Sequence, residues 1–307
     1  MKTAFLIALA GALFGVGGFR AVRAPQPIPV VAPVHTSAAS EQAFILPNLP
    51  VTYLPTRDFN ITDPTINARA AMLVDGTSNR TLFALHADQK LPIASITKLM
   101  TAMVVLKTVP AAEIFTVTAE DLNVDGLGSD FVQTDQFTRD ELLKLMLVKS
   151  SNDAASLFAA HAYQQGVDFI AMMNREAAAL GMTGTHFSDP AGLDDRETYS
   201  TAADVVILAR AALGYPLIRE ITLLQRADVA TLGGTRYHIT STDELLNVIP
   251  SIMLGKTGRT PGALGTMALA VGVDKTNYLI SVVLGAEDRF GETQKLITWG
   301  KAAHRWK

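Results

Sequence analysis

The chain has 307 residues, 49% of them hydrophobic, with a formal charge of -3 and no cysteine. That length and apolar content allow one large domain or two ordinary ones around a buried core. The dispersed Lys and Arg form no basic block of the kind that phosphate-backbone binding requires, which argues against nucleic acid as a partner.

Without cysteine there can be no disulfide, thiolate nucleophile or Cys-ligated metal. The six histidines, His35, His86, His161, His186, His238 and His304, are scattered without ligand spacing, so neither a metal nor an organic cofactor is expected.

At the N-terminus, Lys2 precedes an apolar run over residues 3–19, followed by Arg20, Arg23 and a proline-rich stretch. This reads as an export signal. The run is a little long for a cleaved apolar region and short for a membrane span of about 20 residues. Pro25 behind Val22-Arg23-Ala24 is a poor neighbour for cleavage. Residues 1–24 are therefore read as a signal peptide or N-terminal membrane anchor, with the retained anchor preferred. Pro25, Pro27, Pro29 and Pro33 favour extended chain, and residues 25–64 are read as a tether. Residues 65–307 are expected to form the folded domain.

Within that domain, apolar runs at 68–74 and 81–85 flank the turn-rich Asp75-Gly76-Thr77-Ser78-Asn79-Arg80, which predicts a β-hairpin. From Pro92 the period becomes helical, with Ile96, Leu99, Met100, Met103 and Val104 three or four residues apart. Thr138 and Glu141 form a capping box before a second apolar helix. Ser150-Ser151-Asn152 then interrupts two helices, and further helices are expected at 153–162, 168–180 and 202–213, the last capped by Thr201 with Asp204. A hairpin at 227–232 and 236–240 turns on Gly233-Gly234. Strands at 251–256, 266–273 and 278–284 follow, and a helix at 292–304 closes the chain. The order predicts an α+β domain, in which the first hairpin and the last strands form one antiparallel sheet around a large helical insertion.

Three motifs stand in order along the chain: Ser95-Ile96-Thr97-Lys98, Ser150-Ser151-Asn152 and Lys256-Thr257-Gly258. A chain of this length holds roughly one S-x-x-K by chance, whereas K-T-G is far rarer, so the specificity lies in the combination. On a helix the i to i+3 spacing puts the Ser95 hydroxyl and the Lys98 amine on one face, so the amine can take the serine's proton. To do so near neutral pH a lysine must be held roughly three below its usual pKa of about 10.4, which needs burial or nearby cations such as Lys256. Ser95 by itself would be no more than a helix cap, and Ser150 to Asn152 no more than a helix connection; the trio together changes that judgement. In the break between helices, Ser150 can join the lysine network and Asn152 can meet a substrate amide. Lys256-Thr257-Gly258 is expected to end a strand, where glycine lets a substrate backbone add to the sheet edge. Lys256 and Thr257 then offer donors to a carboxylate.

The segment Leu91-Pro92-Ile93-Ala94-Ser95-Ile96-Thr97-Lys98-Leu99-Met100-Thr101-Ala102 resembles the active-site segment of the D-alanyl-D-alanine carboxypeptidase family of low-molecular-mass penicillin-binding proteins. Ser151-Asn152-Asp153-Ala154-Ala155, Pro190-Ala191-Gly192-Leu193-Asp194, Tyr199-Ser200-Thr201-Ala202-Ala203-Asp204 and Lys295-Leu296-Ile297-Thr298-Trp299-Gly300 resemble its other segments. The resemblance runs from about residue 65 to 307 and implies the β-lactamase/transpeptidase-like fold. It implies a penicillin-sensitive serine-type D-Ala-D-Ala carboxypeptidase acting on peptidoglycan stem peptides outside the cytoplasm, with β-lactams as covalent inhibitors. Ser95 would be the acylated nucleophile and Lys98 its base. Ser150, Asn152 and Lys256 would complete the network, with Thr257, Gly258 and Arg259 binding substrate and the amides of Ser95 and Arg259 forming an oxyanion hole. Arg259 departs from the family, which often has His, Tyr or Ser there, while Arg289 matches a common family arginine. A member lacking the C-terminal β-domain of larger relatives is expected.

Three alternatives stand beside the carboxypeptidase. A DD-endopeptidase would open crosslinks with the same motifs. A class A β-lactamase would need an E-x-x-x-N segment, and Glu244-Leu245-Leu246-Asn247 is one residue short. A non-hydrolytic β-lactam or muropeptide sensor would bind in the same pocket without turnover.

Overall fold

Segments from both ends of the folded chain pair antiparallel to make the central sheet, as the order of apolar runs predicts. The computed structural model describes residues 54–122, 131–194 and 197–306, and these fall in one compact unit. The expected signal or anchor and the tether up to residue 53 lie outside the described residues.

In chain order the first strands are β1 (Thr56–Arg57), β2 (Ala70–Asp75) and β3 (Thr81–Leu85). A largely helical stretch follows: α1 (Thr97–Thr108), the short pair β4 (Ile114–Thr116) and β5 (Gln136–Thr138), α2 (Arg139–Lys144), α3 (Asn152–Gln164), α4 (Phe169–Ala179), α5 (Ala202–Leu213) and α6 (Pro216–Thr222). A separate hairpin, β6 (Arg226–Ala230) with β7 (Arg236–Thr240), leads to β8 (Ile252–Thr260), β9 (Leu264–Gly272), β10 (Tyr278–Ala286), α7 (Arg289–Ala303) and β11 (His304–Arg305).

The five-stranded sheet has the order β3-β2-β10-β9-β8, with β8 at one edge. Its pairs are antiparallel, with Ile280 opposite Val74, Ala270 opposite Ile280 and Ala268 opposite Lys256. β9 and β10 are buried almost end to end, which is why both read as continuous apolar runs instead of alternating ones. Alternate side chains serve two layers. Val74, Ala268, Ala270, Ile280 and Val282 join the large core with α1 and α5, whereas Leu73, Leu279 and Val283 pack on Leu296 and Trp299 of α7. Met267 and Leu269 meet Leu245 and Ile297 on that same face.

Helix starts follow the capping residues in the sequence. Thr138, Ser151, Asp168, Thr201 and Asp288 each accept a bond from the amide three residues on.

Several expectations need correction. Residues 54–64 are not tether: Thr56 and Arg57 pair with Arg305 and His304, Arg57 lies 4.9 Å over the Trp299 ring, and Trp299 donates to the Thr62 carbonyl at 2.9 Å. Burial on α7 outweighs the polar, proline-containing composition of that segment. The third motif does not end its strand, because β8 continues to Thr260. The short elements β1, β4, β5, α6 and β11 had no prediction, being two to seven residues long.

Candidate active site

Ser95 sits in a single 3-10 turn, Ala94–Ile96, that runs directly into α1. Ala94 takes φ +48°, a conformation sparsely used by alanine, and the turn holds the Ser95 side chain partly accessible between buried Ala94 and Ile96. Lys98, on the first turn of α1, is fully buried. Its Nζ lies 2.8 Å from Ser95 Oγ, 2.7 Å from Asn152 Oδ1 and 2.8 Å from the Ala191 carbonyl oxygen. As an ammonium it donates to these oxygens; as a neutral amine it can instead accept from the serine hydroxyl.

The second motif is placed by how α2 ends. Its backbone widens into a π-turn over Leu145–Lys149, a feature that recurs at functional sites. The chain then breaks at Ser150, whose φ of +67° is left-handed. The Ser151 amide reaches back to the Leu145 carbonyl at 3.1 Å, and its hydroxyl caps α3 by accepting from Ala154 at 3.1 Å. Ser151 is therefore the cap of α3. The outer two residues are freed: Asn152 accepts from Lys98, and Ser150 Oγ accepts from Lys256 Nζ at 2.9 Å.

Lys256 lies on edge strand β8 with 1% of its surface exposed, and it also donates to the Thr257 carbonyl at 2.9 Å. Burial pulls its pKa down to about 7; the Asp243 carboxylate opposes that fall and the Arg289 guanidinium adds to it. Asp243 is itself pushed up to about 6 by burial, against the pull of the Leu245 amide, Lys256 and Arg289.

Next to Lys256 on β8, the Thr257 hydroxyl and that of Thr242 lie 2.6 Å apart. Gly258 is the point of closest approach to the serine turn. A Cβ there would fall 2.8 Å from the Ser95 amide nitrogen and 2.5 Å from Thr266 Oγ1. The motif's glycine is thus needed for clearance. Arg259 is exposed, and its charge helps burial to lower the pKa of Arg289. Glu244, the nearest miss to a deacylating glutamate, is exposed in the 3-10 turn Glu244–Asn247, whose Leu245 packs on the α7 face of the sheet.

Two contributions escaped sequence reasoning. The Ala191 carbonyl reaches Lys98 because Asp189 gathers the amides of Ala191, Gly192 and Leu193 at 2.8, 2.6 and 3.2 Å. Thr101 fixes the same loop by donating to the Pro190 carbonyl at 2.6 Å. The signal was Asp189-Pro190 two residues before a glycine, a turn pattern whose ring of amides could have been read. The other is Asp243, which looks like an ordinary cap in sequence. Among the described residues no group of three or more His, Asp or Glu could hold a metal ion.

An antiparallel sheet covered by helices on both faces, with a serine-lysine pair set against a glycine-bearing edge strand, defines a serine DD-peptidase of the penicillin-binding type. The chain belongs to the D-alanyl-D-alanine carboxypeptidase family of peptidases, whose model matches residues 57–288. It is 33% identical over 249 residues to the D-alanyl-D-alanine endopeptidase of Escherichia coli K12, covering 77% of this chain and 78% of that protein. It is also 33% identical over 254 residues to the D-alanyl-D-alanine carboxypeptidase DacC of the same organism, covering 77% of this chain but 62% of that protein. The solved structure of a D-alanyl-D-alanine carboxypeptidase from Mycobacterium tuberculosis superposes with a TM-score of 0.72 at 28% identity, covering 80% of this chain and 96% of that one.

Proposed function

We propose that this enzyme removes the terminal D-alanine from peptidoglycan stem peptides through an acyl-enzyme on Ser95, and that penicillin acylates the same hydroxyl. The observation that carries the reading is the position of Lys98 Nζ, within hydrogen-bond reach of both Ser95 Oγ and Asn152 Oδ1 in a buried setting.

In this reading neutral Lys98 accepts the Ser95 proton as Oγ attacks the penultimate D-Ala carbonyl. The amides of Ser95 and Arg259 receive the oxyanion, each worth about 3–4 kcal/mol. The proton passes by Lys98, Ser150 and Lys256 to the departing D-alanine amine, and water then attacks the ester by the reverse route. The substrate backbone adds to β8 beside Gly258. Lys256, Thr257 and Arg259 meet its carboxylate.

Because peptidoglycan lies outside the cytoplasmic membrane, the reading includes export by residues 3–19 and display on a tether over residues 25–53. No helix among the described residues is long and apolar enough to cross a membrane.

A second reading, opening of D-Ala crosslinks, is supported by one observation: the E. coli D-alanyl-D-alanine endopeptidase is as similar to this chain, at 33% identity, as DacC is. Mass analysis of a muropeptide mixture incubated with the purified protein decides between them. Pentapeptide monomers lose one D-alanine under the first reading, and crosslinked dimers become monomers under the second. If neither changes while penicillin still labels Ser95, the site is a sensor.

A further inference from the structure

We propose that Asp243 is a positioning residue for this active site: a buried carboxylate behind edge strand β8 that sets the charge of Lys256 through the strand. The proposal rests on the reading above, in which Lys256 carries a proton in the reaction.

The turn that holds Asp243 is clamped to β8 on both sides of Lys256. On one side the Thr242 and Thr257 hydroxyls lie 2.6 Å apart. On the other, a Cβ at Gly255 would fall 2.3 Å from Asp243 Oδ2, so the carboxylate lies directly against the backbone one residue before Lys256. Asp243 is 5% exposed. Its Oδ1 accepts from the Leu245 amide at 2.9 Å, whereas Oδ2 is buried with no hydrogen-bond partner among the described residues. Capping alone would be served by serine or asparagine. A buried carboxylate oxygen without a hydrogen-bond partner is costly, and a neighbouring buried cation offsets that cost.

The charged groups around it fit that role. Lys256 on β8 and Arg289 at the start of α7 both favour the ionised carboxylate, and exposed Glu244 on the same turn opposes it. On Lys256 the two neighbours act in opposite directions, Asp243 holding the proton on and Arg289 driving it off. Arg259, further along β8, bears on Arg289. Asp243 is therefore the anion that keeps a fully desolvated lysine protonated into the neutral range.

Asp243→Asn keeps the shape and the cap to Leu245 but removes the charge, so Lys256 gives up its proton at lower pH. The experiment is the rate of acylation by a fluorescent penicillin from pH 5 to 10, alongside D-alanine release from a pentapeptide. The alkaline limb of both profiles should move down by about one pH unit in Asp243→Asn, an approximately tenfold loss above the limb. Glu244→Gln, which touches the same turn but not Lys256, should leave the limb where it is. If Asp243→Asn does not fold, Asp243→Ser supplies an alternative cap and is read in the same way. Superimposable wild-type and Asp243→Asn profiles overturn the proposal, as does an equal shift in Glu244→Gln. A wild-type enzyme that neither is acylated nor releases D-alanine sinks the functional reading itself, a separate result.

Discussion

Lys256→Met should make this protein more stable at neutral pH while removing its activity. The Lys256 pKa falls from an ordinary 10.5 to about 7. At about 1.4 kcal/mol for each tenfold change in proton affinity, holding the charged form in the fold costs roughly 5 kcal/mol. Methionine fills a similar volume without that cost. It loses the bonds to Ser150 and the Thr257 carbonyl, at about 1 kcal/mol each, and leaves Asp243 without its cation. The net gain should be about 1–3 kcal/mol, or a rise of about 2–4 °C in Tm per kcal/mol for a domain of this size.

The sign of the pH dependence follows from linkage. A lysine whose folded pKa is depressed weakens the fold fully below about pH 7. Between 7 and 10.5 the folded group is already neutral while the unfolded one still binds its proton, so stability recovers as pH rises. The Tm advantage of Lys256→Met over wild type should therefore be largest at pH 6–7 and shrink toward pH 10. Thermal unfolding of both proteins across that range is the assay. A variant less stable than wild type at pH 7, or an advantage that does not change with pH, would refute the reasoning.

Other outcomes follow from the geometry. Ser95→Ala should abolish covalent penicillin labelling with little change in Tm, since the partly exposed hydroxyl has Lys98 as its hydrogen-bonding neighbour; continued labelling would move the nucleophile elsewhere. Gly258→Ala pushes a methyl to 2.8 Å from the Ser95 amide, and stopped-flow acylation should slow at least tenfold while the circular dichroism spectrum stays unchanged. Gly192→Ala is worse placed. Its φ is +81° and its Cβ would fall 2.0 Å from the Ala94 carbonyl, so urea unfolding should show a loss of about 2–4 kcal/mol, together with slower acylation through the displaced Ala191 carbonyl.

Much of this protein was written locally in its sequence. The helices α4 and α5 lie within a residue or two of their expected bounds, because Asp168 and Thr201 satisfy orphan amides wherever an apolar period follows. The antiparallel sheet followed from the order of apolar runs, and the three motifs named the residues that meet around Lys98 and Lys256. Tertiary structure decided what depends on contacts between distant segments. Arg57 and Thr62 joined the domain because Trp299 was there to receive them, and β8 ran past its motif because β9 pairs with it as far as Thr260 opposite Leu264. The Ala191 carbonyl and the Asp243 carboxylate are ordinary loop and cap groups in sequence. They bear on Lys98 and Lys256 only because folding buries each beside its lysine, where few polar groups remain to answer a charge and each one present acts strongly on its neighbours.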